Sequence, residues 1–359
     1  MTIIIFLIIL SALILVHELG HFSVAKYFGI RVDEFGLGLP PKLVKLFHWR
    51  GTDFTLNWLP FGGFVKIFGE SPLEVTPDTK PTDSLLAKNR GIQASVIVAG
   101  VVCNLLFAWA LISTGFIAGM AAPVGLSLPL ENVHTTITAV LPGSPASEAG
   151  LKSGDKVASV YSGSESSLLS PEELSVFIAN ASGPITFEVE RQGDVRKVVV
   201  SPEEGLIAGR KAVGISMDEV GIAKLPLHKA LWYGLVTTSE LTLVTAKAIG
   251  LFIVGAISGG ADLSSVTGPV GLVGIVGDVS ELGLSYLLSF TAIISINLAI
   301  INLLPFPALD GGRLLFIIIE AFRRKPISPR VVNILNTASF AFLILIMILV
   351  TIQDFRNIL

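Results

Sequence analysis

The amino-acid sequence predicts a multi-span α-helical membrane protein with about four transmembrane helices, a membrane-associated β-hairpin after the first span, and an inserted α/β domain. Three observations carry that expectation. Of 359 residues, 52% are hydrophobic and 15% charged, with mean hydropathy +0.75, whereas a soluble globule holds nearer a quarter charged residues. Four apolar runs, residues 3–28, 91–121, 284–304 and 332–352, are long enough to cross a bilayer as helices. Between the second and third runs lies a polar stretch, 123–224, built of short alternating segments and turn residues. The single cysteine, Cys103, excludes an intrachain disulfide.

The first run contains Val16-His17-Glu18-Leu19-Gly20-His21. Residues four apart share a helix face, so His17 and His21 can hold one divalent ion while Glu18 reaches a water on that ion, the layout of a zinc hydrolase. Titratable groups inside a span each cost about 3 kcal/mol on insertion scales and mark function. The run lacks a small-residue cleavage site and is read as retained rather than as a signal peptide. After it, Phe54–Leu59 and Phe64–Phe68 flank Pro60-Phe61-Gly62-Gly63 and read as a hairpin spanning 54–68. Its edge at Phe64, Val65 and Lys66 is suited to pairing with an extended peptide.

In the polar stretch, strands are expected over Thr135–Val140, Val157–Tyr161, Ile185–Glu190 and Val195–Val200, the last two joined through Gln192-Gly193-Asp194. Gly143 to Asp155 reads as a turn and short helix, and Ser170-Pro171 opens a second helix as cap and first residue. Residues 225–283 are apolar but broken by His228, Lys229, Glu240, Lys247, Gly259, Gly260 and Asp262. Amphipathic helices on or dipping into the membrane are expected there, with Ala230, Leu231, Leu235, Leu241 and Val244 on one side, the alternative being a fifth span over 241–257. The organisation is thus a membrane core in two halves, 1–122 and 284–359, around a domain at 123–224 and a membrane-associated segment at 225–283.

Two histidines leave a tetrahedral zinc short of a protein ligand. Asp310 is the candidate: it follows Asn302-Leu-Leu-Pro-Phe-Pro-Ala-Leu, where prolines interrupt the third span, and precedes two glycines that allow a sharp bend. Taken alone, Asp310 reads better as a helix cap or a partner of Arg313; beside the histidine pair it reads as a ligand, with the fourth position left for water. Irregular backbone at membrane depth survives only where it lines a site.

Charge assigns sides. Lys42, Lys45, Arg50, Lys66, Lys88 and Arg90 follow the first span, and Arg323, Arg324, Lys325 and Arg330 the third, so these loops are expected in the cytosol. Residues 122–283 hold 10 Lys and Arg against 17 Asp and Glu, as suits a translocated region, and four spans then place both termini outside. A net charge of −3 without a basic stripe gives no support to nucleic-acid binding.

These motifs, in this order, resemble the site-2 proteases, intramembrane zinc metalloproteases, and most closely the bacterial regulator-of-sigma-E branch with a single PDZ domain. The resemblance rests on His17-Glu18-Leu19-Gly20-His21, Pro60-Phe-Gly-Gly-Phe-Val-Lys66 with Gly69-Glu70, a Gly-Ser-Pro-Ala…Gly-Asp string like that of bacterial PDZ domains, and Asn302 through Gly312. It implies one Zn2+ per chain held by His17, His21 and Asp310, with Glu18 as the catalytic base. It also implies Asn302 beside bound substrate and Asn297 lining the same region. The implied setting is the cytoplasmic membrane, with the PDZ-like domain extracytoplasmic and single-span membrane proteins, such as an anti-sigma factor or a remnant signal peptide, as substrates. The chain departs from the pattern in lacking a proline in Ala99-Gly-Val-Val-Cys-Asn104 and in carrying Arg313 after Asp-Gly-Gly. A reading from another class, a non-catalytic scaffold with a structural metal, has no use for Glu18.

Overall fold

A computed structural model of the chain describes residues 1–70, 82–125, 128–141, 143–162, 165–167, 170–191, 193–207, 210–259 and 268–358. Gln192, Gly260 and Asp262, named above, lie outside them. The elements in order are α1 (Thr2–Tyr27), β1 (Val32–Trp49), β2 (Thr52–Ile67), α2 (Arg90–Ala118), β3 (Met120–Pro123), β4 (Glu131–Val140), α3 (Pro145–Glu148), β5 (Lys156–Ser162), β6 (Glu165–Ser167) and α4 (Pro171–Asn180). They continue with β7 (Ile185–Arg191), β8 (Asp194–Val200), β9 (Glu203–Ile207), β10 (Arg210–Ala212), β11 (Ile215–Ala223), α5 (Leu227–Ile257), α6 (Pro269–Glu281), α7 (Leu284–Leu303), α8 (Asp310–Arg323) and α9 (Pro329–Ile358). The chain forms two compact units, one of Met1–Ile112, Gly234–Gly277 and Leu288–Phe355, the other of Ser113–Tyr233, Asp278–Leu287 and Arg356–Leu359.

The first unit is largely helical. Among the described residues, five helices are long and apolar enough to cross a membrane: Thr2–Tyr27, Arg90–Ala118, Leu227–Ala256, Leu284–Leu303 and Pro329–Asp354. The one beyond the expected four is α5, which runs unbroken through Glu240 and Lys247 where several shorter helices were expected. Its hydroxyls bond back along the helix, Thr238 to the Gly234 carbonyl at 2.7 Å, Ser239 to Leu235 at 2.9 Å and Thr242 to Thr238 at 2.6 Å, so polar side chains there do not interrupt it. The second span stops at Ala118, short of the expected 121, because Gly119 turns the chain with φ +92°. Asp354, 6% exposed near the end of α9, caps the start of α6 by accepting from the Gly268 and Gly271 N–H groups at 3.0 and 2.9 Å.

The sheet beside α1 corrects the predicted hairpin. Phe54–Leu59 and Phe64–Phe68 do not pair with each other; the first part of β1 lies between them. Leu37 is registered with Gly63 on one side and with Leu56 on the other, and Phe35 with Val65 and Phe54. Gly36 and Gly38 make room for this. A Cβ on Gly36 would have to displace the Asn57 amide and the Phe64 ring, and one on Gly38, where φ is +81°, would run into the Leu59 carbonyl, so a strand with two neighbours passes here most readily as glycine. Val32, Phe35, Val65 and Ile67 then bury against Phe22 and Ala25 of α1 and Val96 of α2. The far portion of β1, from Leu39 to Trp49, is exposed and mostly apolar.

The second unit carries a seven-stranded sheet, ordered β3-β11-β4-β5-β7-β8 with β6 beside β5. The four predicted strands are β4, β5, β7 and β8. β11, missed because Met217-Asp218-Glu219 and Gly221 break its alternation, pairs with both β3 and β4. The core comprises Ile137, Val160, Ile185, Phe187 and Val189 of the sheet with Leu174 and Ile178 of α4. α4 opens on a capping box, the Ser170 side chain accepting from the Glu173 N–H and Glu173 accepting from the Ser170 N–H.

One ion pair braces this unit. Asp155, with 1% of its side chain exposed, accepts from Arg191 through Nε and Nη2, both at 2.6 Å, and from the Lys152 N–H at 2.9 Å. The carboxylate in turn pushes the Arg191 pKa up. Replacing Arg191 by Met strands a buried carboxylate, a change that costs about 3 kcal/mol. Thermal unfolding of the Arg191→Met protein is expected at a clearly lower temperature than wild type, and an unchanged midpoint would show that the pair contributes nothing.

Candidate metal centre

α1 and α2 approach closely because neither presents a side chain where they cross. A Cβ on Gly20 would run into the Ala99 carbonyl, and a Cβ on Gly100 would lie 2.5 Å from His21 Nε2 and 2.7 Å from the His17 ring. The face of α2 at this crossing repeats every four residues: Val96, Gly100, Asn104. Each position serves a histidine. The Val96 carbonyl accepts from His21 Nδ1 at 2.8 Å, Gly100 vacates the space both rings fill, and the Asn104 amide lies 3.2 Å from His17 Nδ1. A helical carbonyl has a second lone pair free for such a bond.

The distant end of the chain supplies a carboxylate. α7 stops at Leu303, the chain turns through Phe306 and Pro307, and Asp310 is the first residue of α8. Both following glycines are compulsory, because carbonyl oxygens of Leu304 and Phe306 occupy the places where their Cβ atoms would stand. Asp310 Oδ2 lies 2.9 Å from His17 Nε2 and 3.2 Å from His21 Nε2, and the two Nε2 atoms are 3.1 Å apart. Arg313, weighed above as a partner of Asp310, instead pairs with Glu70.

These distances suit an ion. Bond lengths of about 2.0–2.1 Å to nitrogen or oxygen in a tetrahedron put ligand atoms about 3.3 Å apart, close to all three separations. His17 and His21 are 7% and 9% exposed, and with Val96 accepting from Nδ1, His21 turns an unprotonated Nε2 toward the other two groups. The donor set, two imidazoles and a carboxylate with one tetrahedral position remaining, fits zinc of the catalytic type. His17, His21 and Asp310 are the described His, Cys, Asp and Glu residues that gather in this way.

A cavity of about 520 Å3 opens beside the group, lined by His17, Glu18, His21 and Asp310, by Phe64, Val65 and Lys66 of β2, and by Asn333 and Asn336 of α9. Gly63 brings β2 close, with Glu18 Cγ 3.9 Å from the position of its absent Cβ. The Asn302 amide nitrogen is 3.4 Å from His17 Nε2. Asn297, half-buried on α7, does not line the cavity. Glu320 is held there by Arg90 at 2.6 Å and accepts from the Ile327 N–H at 2.9 Å. Sequence reasoning missed Gly100, Val96, and the α9 asparagines. Only the four-residue spacing from Val96 to Asn104, matched against His17 and His21, could have shown the first two.

A carboxylate beside the first histidine of a metal pair, set among apolar helices, defines a membrane-associated metallopeptidase. The chain belongs to peptidase family M50, whose profile matches residues 5–346. It is 36% identical to a Clostridium perfringens protein provisionally named as a zinc metalloprotease, covering 99% of this chain and 98% of that one. A Nostoc protein with the same provisional name is 36% identical over 90% of this chain and 87% of its own. Zinc metalloprotease RasP of Geobacillus kaustophilus is 29% identical over 99% of this chain and 98% of its own.

Gly100→Ala tests the crossing. Displacing either ring by a fraction of an ångström is expected to reduce peptidase activity by about 10²-fold and to lower the bound metal measured in the purified protein. Full metal content and full activity would show that α1 and α2 can separate without harm.

Proposed function

We propose that the chain is an intramembrane zinc endopeptidase that hydrolyses peptide bonds in the membrane segments of single-span proteins, such as an anti-sigma factor or a remnant signal peptide. The convergence of His17, His21 and Asp310 beside Glu18, on helices apolar enough to span a bilayer, carries this reading. Zinc held by these three residues would activate a water molecule and polarise the peptide carbonyl. Glu18 takes the proton as the water oxygen bonds to the carbonyl carbon, then delivers it to the amide nitrogen as the carbon–nitrogen bond breaks. The amide of Asn302, beside His17, would donate to the carbonyl oxygen as negative charge develops there.

A substrate helix must unwind before its carbonyls are reachable, and each backbone group freed in lipid costs several kcal/mol. Residues 63–67 pair with β1 along one edge, and among the described residues no strand pairs with the other. Strand addition along Phe64, Val65 and Lys66 would satisfy the unwound backbone within reach of Glu18. The sheet of the second unit is read as a PDZ-like domain outside the cell that screens substrates by their external part.

Contacts at helix ends favour four spans, with α5 lying along or dipping into the outer surface. The Ser285 hydroxyl donates to the Gly119 carbonyl at 3.3 Å, and the Leu225 N–H to the Phe116 carbonyl at 2.8 Å, so α7 and α5 both begin beside the end of α2. α6 starts against Asp354, at the end of α9 remote from cavity-lining Val332 and Asn333, and Gly277 lies against Thr2 at the start of α1. With 13 residues, about 20 Å, α6 is too short to carry the chain back across.

Glu18→Gln is expected to retain zinc while slowing cleavage of a co-expressed single-span substrate by 10²-fold or more, so that uncut substrate accumulates in the membrane fraction. Treatment of wild type with a zinc chelator should stop cleavage, and added zinc restore it. Undiminished cleavage by the Glu18→Gln protein would overturn the assignment.

A further inference from the structure

His21 has a fixed partner on its second nitrogen, the Val96 carbonyl, which can only accept. His17 has a different one. Its Nδ1 faces the side-chain amide of Asn104, which is 0% exposed in the middle of α2, 3.2 Å away. An amide offers a donor at one end and an acceptor at the other, and its near-symmetric shape lets either end face the ring. In the arrangement described, the nitrogen faces His17 and the oxygen is buried with no partner among the described residues.

That arrangement belongs to one tautomer. If Nδ1 accepts from Asn104, the ring proton sits on Nε2, where it is donated to Asp310 Oδ2 at 2.9 Å. An imidazole in that state has no lone pair on Nε2, the atom that faces the other two groups. Binding through Nε2 requires the proton on Nδ1, and a donor there needs an acceptor opposite it. Asn104 supplies one by turning its amide over. The backbone of the same residue is pinned from the other side, because the buried Ser295 hydroxyl of α7 donates to the Asn104 carbonyl at 2.8 Å.

We propose that Asn104 is the positioning residue for His17: its side-chain oxygen accepts the Nδ1 proton when metal is bound, and the same amide, reversed, supports the opposite tautomer when it is not. The proposal rests on the zinc reading above. A carboxylate at this position would serve only the loaded state, and a hydrocarbon neither. The two histidines thus differ in kind: His21 is permanently set for an ion, and His17 is set by its neighbour.

The test uses the full chain in detergent or nanodiscs, with zinc affinity measured by chelator competition and the His17 tautomer read from imidazole 15N chemical shifts. Wild type should move from protonated Nε2 to protonated Nδ1 on adding zinc. Asn104→Leu is expected to lose about 10- to 100-fold in zinc affinity, while Asn104→Asp, which keeps an acceptor, holds zinc at least as tightly as wild type. Equal zinc affinity in Leu and wild type, or equal losses in Leu and Asp, would overturn the proposal. So would a His17 ring protonated on Nδ1 with and without zinc. If the Leu protein does not fold, the Asp protein decides alone: retention with the Nδ1 signature supports the role, and loss ends it. Failure of wild type to take up zinc at all would instead strike the metal reading itself.

Discussion

Everything at the metal group depends on how near α2 can come to α1. Polar ligands in a membrane helix are tolerated only if each has a partner, and the partners here are a backbone carbonyl and an amide on the neighbouring helix. A carbonyl cannot reach out. The helix bearing it has to come to the histidine, and Gly20 and Gly100 remove the two Cβ atoms that would hold the backbones apart. The geometry of the His17, His21 and Asp310 group is therefore set by absent side chains as much as by present ones.

The second constraint is the return of the chain after α7. A ligand contributed by a spanning helix would be fixed at one height and one rotation. Asp310 instead begins a new helix after a proline-containing turn, so its carboxylate is aimed by a compact loop packed on its own glycines. The interruption also explains the cavity, since α8 leaves α7 and pairs with other elements through Arg313 to Glu70 and Glu320 to Arg90.

Much of this was legible in the sequence, unevenly. Spacing alone put His17 and His21 on one face of α1, because residues four apart on a helix lie one above the other. The Asp310 segment declared itself through prolines and glycines where an apolar run should continue. The sheet beside α1 was misread because the partner of each arm was a third segment containing Gly36 and Gly38, and glycine in a strand looks like a turn until the neighbour that needs the space is known. α5 was broken up on paper by charges whose neighbouring hydroxyls bond back along the helix. α8, which lines the cavity with Asp310, Arg313, Phe316, Ile317 and Glu320, and the asparagines of α9 gave no local sign, since what they line is assembled from five separate stretches of chain.

The charges around the cavity have a consequence for what can enter it. Glu18, Glu70, Asp310 and Glu320 face Lys66, Arg90 and Arg313, four carboxylates against three cations. These side chains thus sum formally to a single negative charge, which a divalent ion would invert to a single positive one. In a low-dielectric enclosure that residual sign is felt strongly. With the proposed ion in place, segments bearing lysine or arginine close to the scissile bond would be repelled and neutral or acidic ones admitted, so that loading the centre would also sort its guests by charge.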